Sequence, residues 1–167
     1  KKKDDKQIVR ELLPTDESGN PVGDINEVEY KIEVVTGDER GCGTNANVFI
    51  TLTGENGDSG ERQLSSSENF NKFERNQTDI FTLKAAELGE LTSLRIRHDN
   101  SGFKSGWYVD HVKVSGPGMS EQMAFPCKRW LAVDEDDGQV ERSLIPIPVS
   151  QWQNKGRNSI ALEQKAA

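Results

Sequence analysis

An antiparallel all-β sandwich is the fold this 167-residue sequence predicts. Apolar residues recur with a period of two in one short run after another. The runs are separated by Gly, Asn, Asp and Ser clusters, the residues that make turns. Almost no stretch carries the longer period of a helix, so layered sheets rather than packed helices must bury the apolar side chains.

The elements follow in order. "VEYKIEVVT" (Val28 to Thr36) sets Val28, Tyr30, Ile32 and Val34 on one face and charges on the other. "NVFITLTG" (Asn47 to Gly54) alternates Val48, Ile50 and Leu52. "GENGDSGER" (Gly54 to Arg62) is turn chemistry, as is "DEDDGQ" (Asp134 to Gln139). "DIFTLKA" (Asp79 to Ala85), "LTSLRIRH" (Leu91 to His98) and "WYVDHVKV" (Trp107 to Val114) alternate, as do "EQMAFPCKRWLA" (Glu121 to Ala132) and "QVERSLIP" (Gln139 to Pro146). "KAAELGE" (Lys84 to Glu90) alone suits a short helical turn, stopped by Gly89. Trp107, Phe125 and Trp130 are expected between the sheets, where strand aromatics pack.

The length suits one domain with tails. A net charge of -7 and a pI near 5.0 argue against non-specific nucleic-acid binding, which needs a positive field. No apolar run is long enough to span a bilayer, and no signal-peptide pattern stands at the start. The opening "KKKDDKQIV" reads as a cut edge. Two cysteines, Cys42 and Cys127, make no disulfide framework and suit a reducing compartment. "NQT" (Asn76 to Thr78) is a glycosylation tripeptide, a pattern common by chance.

"GCGTNA" (Gly41 to Ala46) fits a loose dinucleotide fingerprint, G-x-G-x-x-A. Such a loop must open a helix, whose amino end supplies the amides for the phosphate. Here it opens the strand "NVFITL", so the glycines serve a connection between strands. No G-x-S-x-G nucleophile elbow is present. His98 and His111 have no metal-type partner at short spacing, and His111 reads as a packed or surface histidine. Cys127 is expected to pack as a small apolar residue. Cys42 is expected at the surface, with Arg40 as the only basic neighbour that could activate it. The chain is therefore read as non-enzymatic.

"DDKQIVRELLP" (Asp4 to Pro14) matches "DDGQVERSLIP" (Asp136 to Pro146) in register. The offset, about 130 residues, exceeds solenoid periods and suits one sandwich domain. Residues 1–27 are thus expected to hold the end of a preceding copy and a linker, 28–146 one domain, and 147–167 a linker onward. The competing reading, an added edge strand at the amino end, stays open.

Three loops gather oxygen donors of the kind calcium takes. The first offers Asp38, Glu39, the carbonyls around Gly41 to Gly43, and Asn45. "NFNKFERN" offers Asn71 and Glu74, and "HDNSGFKSGW" offers Asp99 and Asn100. Ordinary polar turns would use the same residues.

"YKIEVVTGDERGCGTNANVFITLTGENGDSGER", "NKFERNQTDIFTL", "LTSLRIRHDNSGFKSGWYVDHVKV" and "FPCKRWL" together resemble the PLAT domain, also called LH2, the lipoxygenase homology domain. The resemblance implies an eight-stranded sandwich of two four-stranded sheets. It implies a non-catalytic module that attaches proteins to membranes or partner proteins, often with calcium. The repeated end motif is similar to proteins built wholly of tandem PLAT copies. That implies neighbouring PLAT repeats in the same chain and a cytoplasmic place at the inner face of the plasma membrane, in hair-cell stereocilia. The other function it implies is calcium-dependent phospholipid docking beside a lipid-modifying enzyme.

Position by position, the calcium pattern "GTD" stands as Gly43, Thr44 and Asn45, and "NDFE" as Asn71, Lys72, Phe73 and Glu74. The acid pair before "WY" stands as Ser105 and Gly106. The implied metal set is Gly41, Gly43, Asn45, Glu74, Asp99 and Asn100, short of carboxylates, so calcium is expected to bind weakly or not at all. The implied contact residues are Arg40, Phe103 and Lys104, where lipid-binding relatives carry tryptophan. One aromatic beside one lysine is a meagre insertion device, and the acidic chain is repelled by anionic lipid. The sequence therefore leans toward a protein partner over phospholipid.

Overall fold

The structure, a computed structural model, describes residues 27–152 apart from 66, 68 and 70. Ten strands are present: β1 (Glu27–Thr36), β2 (Val48–Gly54), β3 (Gly57–Asp58), β4 (Arg62–Gln63), β5 (Thr78–Ala86), β6 (Leu91–His98), β7 (Trp107–Ser115), β8 (Met123–Leu131), β9 (Glu141–Leu144) and β10 (Ile147–Pro148). They form two antiparallel five-stranded sheets. One runs β9-β6-β2-β3, with β4 also on β2; the other runs β10-β8-β7-β1-β5.

The period-two runs became strands because alternation lets one face meet the other sheet. Tyr30, Ile32 and Val34 of β1 face Val48, Ile50 and Leu52 of β2 across a core that also holds Leu94, Ile96, Val112 and Val114. In β7 the inward set changes parity, from Trp107 and Val109 to Val112 and Val114. A bulge between Val109 and His111 absorbs the extra residue.

Each sheet has five strands rather than the four implied by resemblance. β3 and β4 are two pieces of one edge strand along β2. Ser59 interrupts it: its hydroxyl accepts the Leu52 N–H at 2.9 Å, while its own N–H donates to the Leu52 carbonyl at 2.8 Å. The other addition is the two-residue β10 on β8. A helical turn at 149–152 follows and sets Trp152 against His111, ring centroids 4.8 Å apart.

The expected helical turn over Lys84 to Glu90 is instead the end of β5 followed by an irregular stretch. The Leu88 N–H donates to the buried Tyr30 hydroxyl at 2.8 Å, which holds the chain extended there. The amino-terminal match, Asp4 to Pro14, lies outside the described residues. In its partner copy, Asp137 accepts from Arg142 at 2.7 Å, Arg142 also donates to the Trp130 carbonyl, and Leu144 is buried. No helix among the described residues is long and apolar enough to cross a membrane.

Candidate functional site

Four loops meet at one end of the sandwich: 37–47, 64–77, 99–106 and 132–140. Their lower parts are tied together. Thr44 donates from its hydroxyl to the Ser105 carbonyl at 2.7 Å and accepts from the Ala46 N–H. The Ser105 hydroxyl donates to Asn100 Oδ1 at 2.7 Å. His98 is fully buried; its Nδ1 accepts the Asn100 N–H at 2.9 Å, and its Nε2 lies 2.6 Å from the Leu131 carbonyl. These partners assign the neutral tautomer with the proton on Nε2. Burial pushes the His98 pKa down, which keeps it neutral.

The glycines of "GCGTNA" now have structural jobs. A β-carbon on Gly43 would stand 2.8 Å from the Phe73 carbonyl, so glycine lets this loop lie on the next, where Thr44 N–H donates to the same carbonyl. Gly41 takes the left-handed turn with φ 83°.

Asp79 escaped the sequence reading. It is wholly buried at the foot of the 64–77 loop, without an ion pair among the described residues. Its carboxylate accepts from the Phe73 N–H at 2.8 Å, the Asn69 amide at 3.0 Å, and the Ser67 hydroxyl and Gln77 amide at 3.1 Å. Phe73 is held at φ 60°, its ring 5.0 Å from Trp107 and 5.6 Å from Phe81. An acid on an alternating strand carries no signal for this, since its partners come from an irregular loop.

The metal candidates divide between places. Asn45 lines a small cavity of about 180 Å³ with Asn71 and Lys72, and no carboxylate joins its lining among the described residues. Gly41 and Asn100 line a separate groove. Glu74 is exposed and lines neither. Asp99 is occupied: Oδ1 accepts from Ser101 and the Asn47 N–H, and Oδ2 accepts from the Asn47 amide at 2.9 Å. The Ser101 and Asn47 hydrogen bonds hold its carboxyl well below the usual range. Among the described residues no three His, Cys, Asp or Glu side chains cluster as a metal site would require.

The contact candidates do come together. Arg40 and Lys104 line the groove, of about 560 Å³, with Trp130, Val133, Asp134 and Glu135. Phe103 stands beside it 81% exposed, Lys104 Nζ 5.5 Å from its ring centre, and Val133 is 60% exposed. Trp130 is not core: it is half-buried on the outer face, with Tyr108 edge-on at 5.5 Å. The reason is alternation, since neighbouring Leu131 takes the inward place. Cys42 likewise departs from expectation. It is buried, and burial pushes its thiol pKa up, so it is no activated nucleophile. Cys42 and Cys127 are both free thiols.

Two antiparallel sheets with interlocked loops at one end define a class of β-sandwich domains. The family model for the PLAT/LH2 domain matches residues 30–144, and the chain belongs to that family. It is 43% identical over 164 residues to mouse lipoxygenase homology domain-containing protein 1, covering 85% of this chain and 8% of the relative. It is 41% identical over 119 residues to human polycystin-1-like protein 3, covering 71% of this chain and 7% of the relative. The chain thus spans less than a tenth of those relatives. Among solved structures it is similar to coral 8R-lipoxygenase, described with calcium activation via a C2-like domain (TM-score 0.62, 26% identity, 71% of this chain and 17% of that one). It is also similar to a calcium-dependent 11R-lipoxygenase (TM-score 0.54, 31% identity, 71% and 17%).

Proposed function

We propose that this chain is a non-catalytic attachment module, one copy in a tandem PLAT array, which docks by its loop end onto a phospholipid surface. The observation that carries the reading is that Val133, Arg40 and Lys104 line one groove at the loop end, with Val133 exposed and Phe103, next to Lys104 in the chain, exposed as well. Apolar tips beside cations suit a headgroup boundary. The sequence leaned toward a protein partner because it offered one loop aromatic and had lost acids of the calcium pattern; the exposed Val133 and the outward Trp130 answer the first of these grounds. Attachment at the inner face of the plasma membrane, in stereocilia, belongs to this same reading.

Calcium is at most a weak modulator in this account. Asp99 and Asn100 are already hydrogen-bonded, and Lys72 lines the cavity that holds Asn45 and Asn71. The array is supported by the repeated motif. Asp137, Arg142 and Leu144 tie the end strand to the sandwich, and their counterparts Asp5, Arg10 and Leu12 recur before this domain. Several weak contacts in one chain would then add avidity.

Vesicle co-sedimentation in chelator, with and without added calcium, tests the reading. Binding that persists in chelator and falls at least five-fold in Phe103→Ser is the expected result. Binding that appears only with calcium would return the module to calcium-dependent docking beside a lipid-modifying enzyme, and no binding at all would favour a protein partner.

A further inference from the structure

The bulge in β7 does more than shift parity. In a regular strand, neighbouring side chains point to opposite faces. At the bulge, where Val109 pairs with Arg129 and His111 with Pro126, Asp110 and His111 both leave the core and their side chains meet. His111 Nδ1 lies 2.6 Å from Asp110 Oδ2, and Lys128 Nζ of β8 lies 3.4 Å from Asp110 Oδ1. An ionised carboxylate only accepts, so the neutral imidazole carries its proton on Nδ1. Outside the core such a ring should be open to water, yet the His111 side chain is only 12% exposed.

The end of the described chain lies against it. Ile147 and Pro148 pair with Ala124 and Met123 at the edge of the second sheet. The Val149 N–H donates to the Gln122 carbonyl at 3.0 Å, and the Ser150 hydroxyl donates to Glu121 at 2.9 Å. The helical turn at 149–152 then brings the Trp152 indole onto the imidazole, ring centroids 4.8 Å apart and planes tilted by 58°. The segment that leaves the sandwich is thus held at its start, its middle and its end. The earlier copy of the end motif has no such sequel: "IPVSQW" follows Pro146, whereas "TDESGN" follows Pro14.

The charged groups that act on this ring are Asp110 and Lys113 of β7 and Lys128 of β8; Asp110 favours the imidazolium and the two lysines oppose it. β1 sets the uncharged Val35 opposite His111, and the covering segment brings Ser150, Gln151 and Trp152, none of them charged. Burial is the largest influence and pushes the His111 pKa down, so the ring under the indole is a neutral ring. We propose that Ile147–Trp152 is a strap: Trp152 latches onto neutral His111, and protonation of His111 releases it. With the strap closed, the chain beyond Trp152 leaves the domain beside His111; with it released, the chain leaves from the sheet edge. The strap stands apart from whatever the loop end binds. In a tandem array it would move the start of the following copy, a consequence that rests on the array reading.

The test follows the His111 ring protons by NMR in the whole chain as pH is varied. Linkage is reciprocal: a closed strap that resists the proton must, once removed, ease its binding. Trp152→Ala should raise the proton affinity of His111 at least about three-fold, toward its ordinary pKa of about 6.5. Protection of the Val149 amide from hydrogen exchange, corrected for the intrinsic rate, should fall at least about five-fold between pH 7.5 and 5.5, and His111→Gln should remove that fall. A His111 that titrates alike with and without Trp152, or a Val149 amide whose protection ignores pH, would overturn the proposal. So would a lower proton affinity in Trp152→Ala, because the indole would then hold the imidazolium by cation–π attraction and acid would tighten the strap.

Discussion

Beneath the loops, His98, Thr44, Asn100, Ser105 and Asp79 are joined to their neighbours by short hydrogen bonds. On the rim above them, Arg40, Lys104, Asp134 and Glu135 make no side-chain hydrogen bond or ion pair among the described residues, and Phe103 and Val133 are bare. The two regions lie on the same loops. The lower one fixes backbone; the upper one leaves side chains to an outside partner. A rim held from below loses less freedom on binding than a mobile loop would, so its contacts give more net affinity. Changes to the lower region should therefore act on stability, and changes to the rim on binding alone.

The largest effect should come from Asp79→Ala. It strands the Phe73 N–H in the interior and frees three side-chain partners, for a loss of about 3 kcal/mol. Chemical denaturation measures it, and a loss below about 1 kcal/mol would mean the carboxylate is not the anchor described. At the opposite end of the sandwich, Tyr30→Phe orphans the Leu88 N–H and should cost about 1–3 kcal/mol. Vesicle affinity should survive Tyr30→Phe while the protein is folded, which separates the two ends.

The pH dependence comes next in size. His98 has a pKa below its unfolded value of about 6.5, so the unfolded chain takes up the proton first. Stability is then complete above that pH and falls as pH drops through it. Protonation would also set a second N–H against the Asn100 N–H, which loosens the 99–106 loop. His111, lowered by burial, acts in the same direction. Melting temperature should fall between pH 7.5 and 5.5, less steeply in His98→Gln; a flat profile in the parent contradicts the neutral tautomer. A second acid loss comes lower: Asp137, pulled down to about 2 chiefly by the Arg142 hydrogen bond, gives up its contribution as pH falls from about 4 toward 2.

Rim substitutions should barely touch folding. Arg40→Gln and Lys104→Gln are expected to change stability by less than about 0.5 kcal/mol. Each should weaken vesicle binding several-fold, most at low salt, where exposed charges are least screened. Calcium should be the smallest effect. With affinity no better than millimolar, calcium at its own Kd adds about 0.4 kcal/mol. A rise in melting temperature that saturates at micromolar calcium would show a cage these residues do not display.

Much of this was legible in the strands. Period-two alternation located seven of them, but the run from Trp107 to Val114 was read as simply alternating, and its bulge was found only in the pairing of β7 with β8. Arg40, Phe103 and Lys104 were legible as loop-tip residues, and the structure sets Arg40 and Lys104 on one groove with Phe103 exposed next in the chain. Features made by chain segments distant in sequence were not legible. Asp79 looks like any charged strand residue until the 64–77 loop folds over it. Trp130 and Leu131 are both apolar neighbours, and only the register of β8 on β7 decides which faces in. Cys42 sits between glycines that suggest exposure, yet its carbonyl accepts the Tyr108 N–H and its thiol is covered.

The most direct test is amide hydrogen exchange with and without phospholipid vesicles. The account predicts added protection at 100–106 and 133–135, and none at the far-end turns 55–57, 87–89 and 116–120. Protection at the far turns, or along β1 and β5 with the loop end unchanged, would contradict docking by the loop end.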